Sequence, residues 1–244
     1  MIIINADDWG RSQTETDAAL RCYRSRRITS VTAMVFMEDS ERAADIAKQE
    51  EMDVGLHLNL TQSYSDSIQI DSEAKNYHDN VVRFLTSSKF ACLMYHPALA
   101  KAFQYNFQSQ FDEFVRLYGK PPTHIDGHHH QHLCTNMLLG RIIPAGLKVR
   151  RSFYFWANEK NYANRAYREF VASLLQKRHK TTDYFFALSQ SLHIERMSKI
   201  LKLAETENVE IMTHPANSKE YLYLMDHVFK NNLSRLKRGS YSSL

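Results

Sequence analysis

The chain is poor in several of the features that announce a function. It has three cysteines, Cys22, Cys92 and Cys134, far apart and never in C-x-x-C. That excludes a disulfide framework and a cysteine zinc site. None of its seven glycines falls in G-x-G-x-x-G or G-x-x-x-x-G-K-[ST], so no nucleotide-binding loop is present. The apolar start Ile2-Ile3-Ile4 meets Asp7 and Asp8 at once, too soon for a signal-peptide core. No run approaches the ~18 apolar residues of a membrane span. A strong charge of one sign is also missing: 31 basic residues are mixed with 27 acidic ones, for a formal net charge of +4. The basic runs, such as Arg24 to Arg27 and Lys177 to Lys180, read as solvated helix ends and not as a nucleic-acid surface. A cytoplasmic protein without a membrane span or nucleic-acid partner is expected. The oligomeric state stays open, with a homodimer among the options.

What is abundant is histidine in one place. Pro122 to His132 reads P-T-H-I-D-G-H-H-H-Q-H and holds five of the twelve histidines. Each imidazole brings two polar nitrogens that need partners, so such density beside a carboxylate suits metal binding better than packing. Thr123 to Asp126 reads as a short strand, with His124 and Asp126 on one face and Ile125 on the other.

The rest of the chain alternates strands and helices. Strands are expected at Met1–Ala6, Ile28–Phe36, Asp53–Thr61, Thr123–Asp126, Leu147–Arg151, Asp183–Leu188 and Val209–Thr213. Helices are expected between them, the strongest over Pro97–Tyr118, and a closing helix carries Leu222, Met225, Phe229, Leu233 and Leu236. Residues 62–89 read as a long polar loop, and the tail from Gly239 as disordered. Length and pattern give one α/β domain over residues 1–244, a TIM-barrel-like (β/α)7 barrel of parallel strands.

In such a fold the site lies at the carboxyl ends of the strands. Asp7-Asp8 ends the first strand, His57 lies near the end of the third, Asp126-Gly127-His128 ends the fourth, and His214 the last. Each has a bland alternative: the aspartate pair could cap a helix, and a lone His57 or His214 could be a satisfied rim histidine. Together, His57, His128 and one of the two aspartates would form a facial metal site with room for water. Adjacent aspartates on an extended strand face opposite ways, so a turn, marked by Gly10, is needed for one to bind metal with its neighbour close by as a base. A metal held there would activate a water for hydrolysis; a carboxylate would take its proton, and a histidine, His214 by preference, would protonate the leaving group. Asp126 could orient a ligand imidazole, His130 could orient a ligand or touch substrate, and Arg151 could hydrogen-bond substrate.

N-A-D-D-W-G at Asn5–Gly10, G-L-H-L-N-L-T at Gly55–Thr61 and the histidine segment resemble the three signatures of the YdjC-like carbohydrate deacetylases. The resemblance implies metal-dependent removal of acetyl from an N-acetylated sugar, with one divalent ion, Zn²⁺ or Mg²⁺. By position, Asp8, His57 and His128 match the family's metal ligands, Asp7 the general base and His214 the proposed acid. Trp9 stands where phenylalanine is usual, which would narrow the pocket. Gly127 replaces a common serine, and Ala216 a common glycine after His-Pro. Two other readings of the rim are a metal-dependent phosphoesterase, which usually needs two metals and more carboxylates, and a non-catalytic sugar-binding relative.

Overall fold

The computed structural model describes residues 1–66, 68 and 71–244. Among the described residues the strands are β1 (Ile2–Trp9), β2 (Ser30–Ala33), β3 (Val54–Leu58), β4 (Ile125–Gly127), β5 (Tyr184–Ala187) and β6 (Val209–Thr213). They form one parallel sheet in the order β4-β3-β2-β1-β6-β5. The helices between them are α1 (Gln13–Arg24), α2 (Ser40–Gln49), α3 (Ser72–Thr86), α4 (Ala100–Tyr118), α5 (Thr135–Leu139), α6 (Tyr162–Gln176), α7 (Ile194–Leu203), α8 (Ser218–Met225) and α9 (His227–Leu233).

The seventh strand expected at Leu147–Arg151 is not a regular strand. It survives as single bridges, Val149 to Ile125 on one side and Lys148 to Lys180 on the other. Its backbone nevertheless bridges toward both edges of the sheet: Ile125 N donates to Lys148 O, Arg150 N to Ile125 O, Val149 N to Lys180 O ahead of β5, and, just beyond, Tyr154 N to Phe185 O in β5. The sheet therefore curls into a barrel of six regular strands and one irregular one. Side-chain alternation then sorts every strand. Ile2, Ile4, Val31, Val54, Leu56, Val209 and Ile211 face the helices and join the main apolar core. The inward register pairs are mostly polar: Asn5 with Ser30, Thr32 with Gly55, His57 with Asp126, and Phe185 with Glu210. Gly55 is required here, because a Cβ would sit 2.4 Å from the His124 ring.

Three further expectations change. Residues 62–89 are not one loop: α3 occupies Ser72–Thr86, with the Asp71 carboxylate accepting from the Glu73 and Ala74 amides. Its buried face is His78, Val81 and Leu85, too few and too polar for a clear period. Ser67, Gln69 and Ile70 from that stretch lie outside the described residues. The closing helix is broken in two at Asp226, whose extended backbone (ψ 142°) lets its side chain cap α9. The tail from Gly239 is ordered: Tyr241 is fully buried.

Candidate active site

The two adjacent aspartates both reach the pocket because Asp8 itself makes the turn. Its φ is 64°, and the β1–β2 register is irregular between Ala6 and Trp9. Aspartate tolerates this left-handed conformation better than most residues. Gly10, expected to mark the turn, follows it with φ 82°. On β4, Gly127 admits the chain that follows: a Cβ there would lie 2.9 Å from the His132 amide. His129 and His130 are also left-handed, with φ of 52° and 59°, which turns the segment back over the rim.

Asp8, His57 and His128 meet at the end of the barrel, with one ligand atom of each within 4.8 Å of the others. Asp8 Oδ1 lies 3.0 Å from His128 Nδ1 and 3.4 Å from His57 Nε2. His57 Nδ1 is 2.8 Å from Asp126 Oδ1. A carboxylate oxygen only accepts, so the ring proton of neutral His57 sits on Nδ1. Nε2 then turns a lone pair toward Asp8 Oδ1, which is buried and accepts no well-formed hydrogen bond among the described residues. Acceptors facing one another in a buried site call for a cation. The donor set, two imidazole nitrogens and a carboxylate oxygen on one side with the cavity on the other, fits a divalent metal ion. The same demand shows in the pKa of His57: burial opposes its charged form, but Asp126 and Asp7 outweigh burial and push it up to about 10. Burial likewise opposes charge on Asp8, and the two imidazoles hold its carboxyl below the usual range.

A second acid–imidazole group, Asp7, His57 and Asp126, is equally close-set. It does not suit a metal, because a cation is already built in. The fully buried Arg150 donates from Nη1 and Nη2 to both oxygens of Asp7 at 2.7 Å and from Nε to Glu210 Oε1 at 2.8 Å, and its Nη1 ion-pairs with Asp126 Oδ2 at 2.6 Å. Asn5 and Thr32 add donors to Asp7 Oδ1. Burial raises the cost of charge on Asp7, yet Arg150 holds its carboxyl below the ordinary range.

A cavity of about 340 Å³ opens over this cluster, with Asp7, Asp8, His57, His128, His130 and His214 in its wall. A smaller recess of about 190 Å³ continues it past Arg11, Glu15 and Pro215. His214 lies at the mouth with 38% of its side chain exposed. The buried Glu220 accepts from the His214 amide and Thr213 Oγ1, and its other oxygen is 3.8 Å from His214 Nδ1. Burial disfavours the His214 cation, but Glu220, Asp7 and Asp8 together raise its pKa above the ordinary value.

Two residues expected at the substrate are elsewhere. Trp9 is fully buried in the main core, its indole N–H donating to Ala43 O, so it packs under α2 and does not narrow the pocket. Arg151 points outward to Glu169 at 3.2 Å; alternation gives the inward place to its neighbour Arg150. His130 does line the cavity, edge-on to Phe153 at 4.5 Å between centroids. Sequence reading missed Arg150, Glu210 and Glu220. The first two could have been found by extending inward/outward alternation to the fifth and last strands.

With this geometry in place, comparison with known proteins decides the lineage. A model of the YdjC-like proteins matches residues 1–237. The chain belongs to the YdjC-like family. It is 28% identical over 257 residues to a chitooligosaccharide deacetylase of Proteus mirabilis, covering all of this chain and 92% of that one. It is 29% identical to a chitooligosaccharide deacetylase of Serratia marcescens, covering 88% and 81%. A carbohydrate deacetylase of Clostridium beijerinckii is 34% identical over 132 residues, 54% of this chain and 50% of that one. Among solved structures, an Enterococcus faecalis protein provisionally named for cellobiose-phosphate cleavage shares the fold, with TM-score 0.67 and 17% identity over 99% of this chain and 97% of that one. Among the described residues of this YdjC-like protein, no helix is long and apolar enough to cross a membrane.

The buried acid below the site has a measurable consequence. Burial pushes Glu210 up to about 7 from 4.5, against the pull of Arg150 and the Tyr241 hydroxyl. The folded chain thus prefers the neutral acid. That contribution is full below about pH 4.5 and is lost as pH rises through about 7. The depressed carboxyls of Asp7 and Asp126 act with the opposite sign and at lower pH. Glu210→Gln should therefore remove roughly 3 kcal/mol of stability loss between those two pH values. Urea midpoints of wild type and variant across that range check this; parallel curves would contradict it.

Proposed function

We propose that this protein is a metal-dependent carbohydrate N-deacetylase that removes acetyl from an N-acetylated sugar. The observation carrying the reading is the buried, under-coordinated Asp8 Oδ1 facing His57 and His128, with Asp7 beside it in the same cavity. The substrate class comes from the names of its relatives, the chitooligosaccharide and carbohydrate deacetylases.

Asp8, His57 and His128 would hold one divalent ion, Zn²⁺ or Mg²⁺. Such an ion supplies Lewis acidity: it makes water acidic near neutral pH and polarises an amide carbonyl. The chain's own groups do the rest. Asp126 holds His57 in the tautomer that presents Nε2. Asp7 takes the proton of the attacking water. Arg150 makes Asp7 a weak base, so its task is to be fixed in place and to accept a proton that is already labile. His214, held by Glu220 and favoured in its charged form, gives a proton to the departing amine. His130 lines the cavity, where it would meet substrate.

A two-metal phosphoesterase is disfavoured because Arg150 already pairs with Asp7 and Asp126, leaving Asp8 Oδ1 as the carboxylate oxygen of the cluster that faces the imidazoles without a guanidinium. The test is Asp7→Asn. Acetate release from N-acetylated chitooligosaccharides should fall by about 10²–10⁴ in kcat, with metal affinity within a few-fold of wild type. Phosphate release from sugar phosphates in place of acetate, or full turnover in the variant, would refute the proposal.

A further inference from the structure

The floor of the barrel, opposite the pocket, is closed by the chain's own C-terminal segment. Ile2 N donates to Lys237 O and Gly239 N to Ile2 O, which lays the segment against the start of β1. Asp53 Oδ2 accepts from Ser240 Oγ at 2.6 Å and from the Ser242 amide at 3.0 Å, and Lys148 Nζ donates to Tyr241 O. Between these anchors Tyr241 enters the barrel, its ring stacked on His124 at 3.6 Å and 7°. Its hydroxyl donates to Glu210 Oε2 at 2.5 Å.

From there a path of charged and hydrogen-bonded groups climbs to the pocket. Glu210 Oε1 receives Arg150 Nε; the other end of the guanidinium grips Asp7 and Asp126; Asp126 holds His57. A plain stopper would need only the aromatic ring. The hydroxyl does more, because it is the donor that sets the plane of the Glu210 carboxylate. Glu210 in turn is the partner of Arg150 Nε, on a guanidinium lying 4.9 Å above the Phe185 ring. Asp7 and Asp126 draw the Nη edge toward the pocket, and Glu210 with Tyr241 fixes the opposite edge. A loose guanidinium would displace both acids that the reaction uses.

We propose that Tyr241 is a positioning residue of the active site, acting through Glu210 and Arg150 on Asp7 and Asp126 from the far end of the barrel. This rests on the deacetylase reading for its kinetic consequence, but its structural half stands apart from it.

The test is Tyr241→Phe, which keeps the ring on His124 and leaves the Asp53 and Lys148 anchors in place. Two quantities are read. The first is the Arg150 Nε–H resonance in ¹⁵N-labelled protein, assigned by its loss in Arg150→Lys. It should shift and exchange faster in the variant. The second is acetate release: kcat should fall about tenfold, with KM within twofold and the melting temperature near wild type. Glu210→Gln should lower kcat similarly, and the double variant should be no worse than the poorer single one, since both cut one path. An unmoved Arg150 resonance, an unchanged kcat, or effects that multiply in the double variant would overturn the proposal. If wild type releases no acetate from any N-acetylated sugar, the deacetylase reading fails instead, and the Arg150 resonance alone decides the role of Tyr241.

Discussion

Arg150→Met is expected to destabilise the fold by about 3–5 kcal/mol, because it leaves buried carboxylates without their cation. Asp7, Asp126 and Glu210 all ion-pair with this one guanidinium, and all are nearly or wholly buried. For a chain of this length the loss corresponds to a fall of roughly 10 °C or more in melting temperature. Arg150→Lys keeps the charge but cannot reproduce the planar fork to Asp7, so it should fall between the two. Scanning calorimetry of the purified variants reads this directly. A methionine variant melting within a degree or two of wild type would mean that the buried acids are neutral in the folded chain and that Arg150 is not their counter-charge.

The second large effect is expected at the rim. His57→Ala should weaken binding of a divalent ion by at least about 100-fold, and Asp126→Asn by about 10–100-fold, since the latter only disturbs the ring that Asp126 orients. Competition against a chromophoric chelator separates the two. Equal affinities in wild type and His57→Ala would remove His57 from the ligand set and leave its 2.8 Å contact with Asp126 as a structural ion pair.

The barrel was legible where local chemistry and global position agree. Strands β1, β3 and β6 stand out as β-branched or alternating runs, and each carries an ionisable residue at or near its carboxyl end. Parallel topology, with the left-handed turn at Asp8, then brings Asp7, Asp8, His57, His128 and His214 to one cavity wall, although they are up to about two hundred positions apart. The less legible parts depend on contacts that leave no local pattern. Helix α3 buries a histidine among few apolar residues, so its period is faint. Residues 147–151 pair with both sheet edges through a few backbone bonds and never form a regular ladder. The tail is short and serine-rich, and long-range partners order it: Glu210 and His124 hold Tyr241, and Asp53 holds Ser240 and Ser242. Arg150 and Arg151 are adjacent in an extended segment, so alternation alone sends one to Asp7 inside the barrel and the other to Glu169 outside it.

Local electrostatics explain why the interior tolerates so many charges. The inward positions form one connected set in which nearly every acid meets a donor: Asn5, Thr32 and Arg150 on Asp7, His57 and Arg150 on Asp126, Tyr241 and Arg150 on Glu210. Two oxygens of the set accept no well-formed hydrogen bond among the described residues: Asp126 Oδ2, which lies 2.6 Å from Arg150 Nη1, and Asp8 Oδ1, which faces the two imidazoles at the pocket end. The site is where the network leaves one buried carboxylate oxygen, Asp8 Oδ1, facing imidazoles and no guanidinium, Arg11 reaching Asp8 Oδ2 only.

That claim is tested most directly by acetate release from N,N′-diacetylchitobiose while chelator-stripped protein is titrated with Zn²⁺ or Mg²⁺. The account predicts no release from stripped protein, a rise that saturates at one ion per chain, and no recovery in His128→Ala. Release that is indifferent to the chelator and persists in His128→Ala would contradict it.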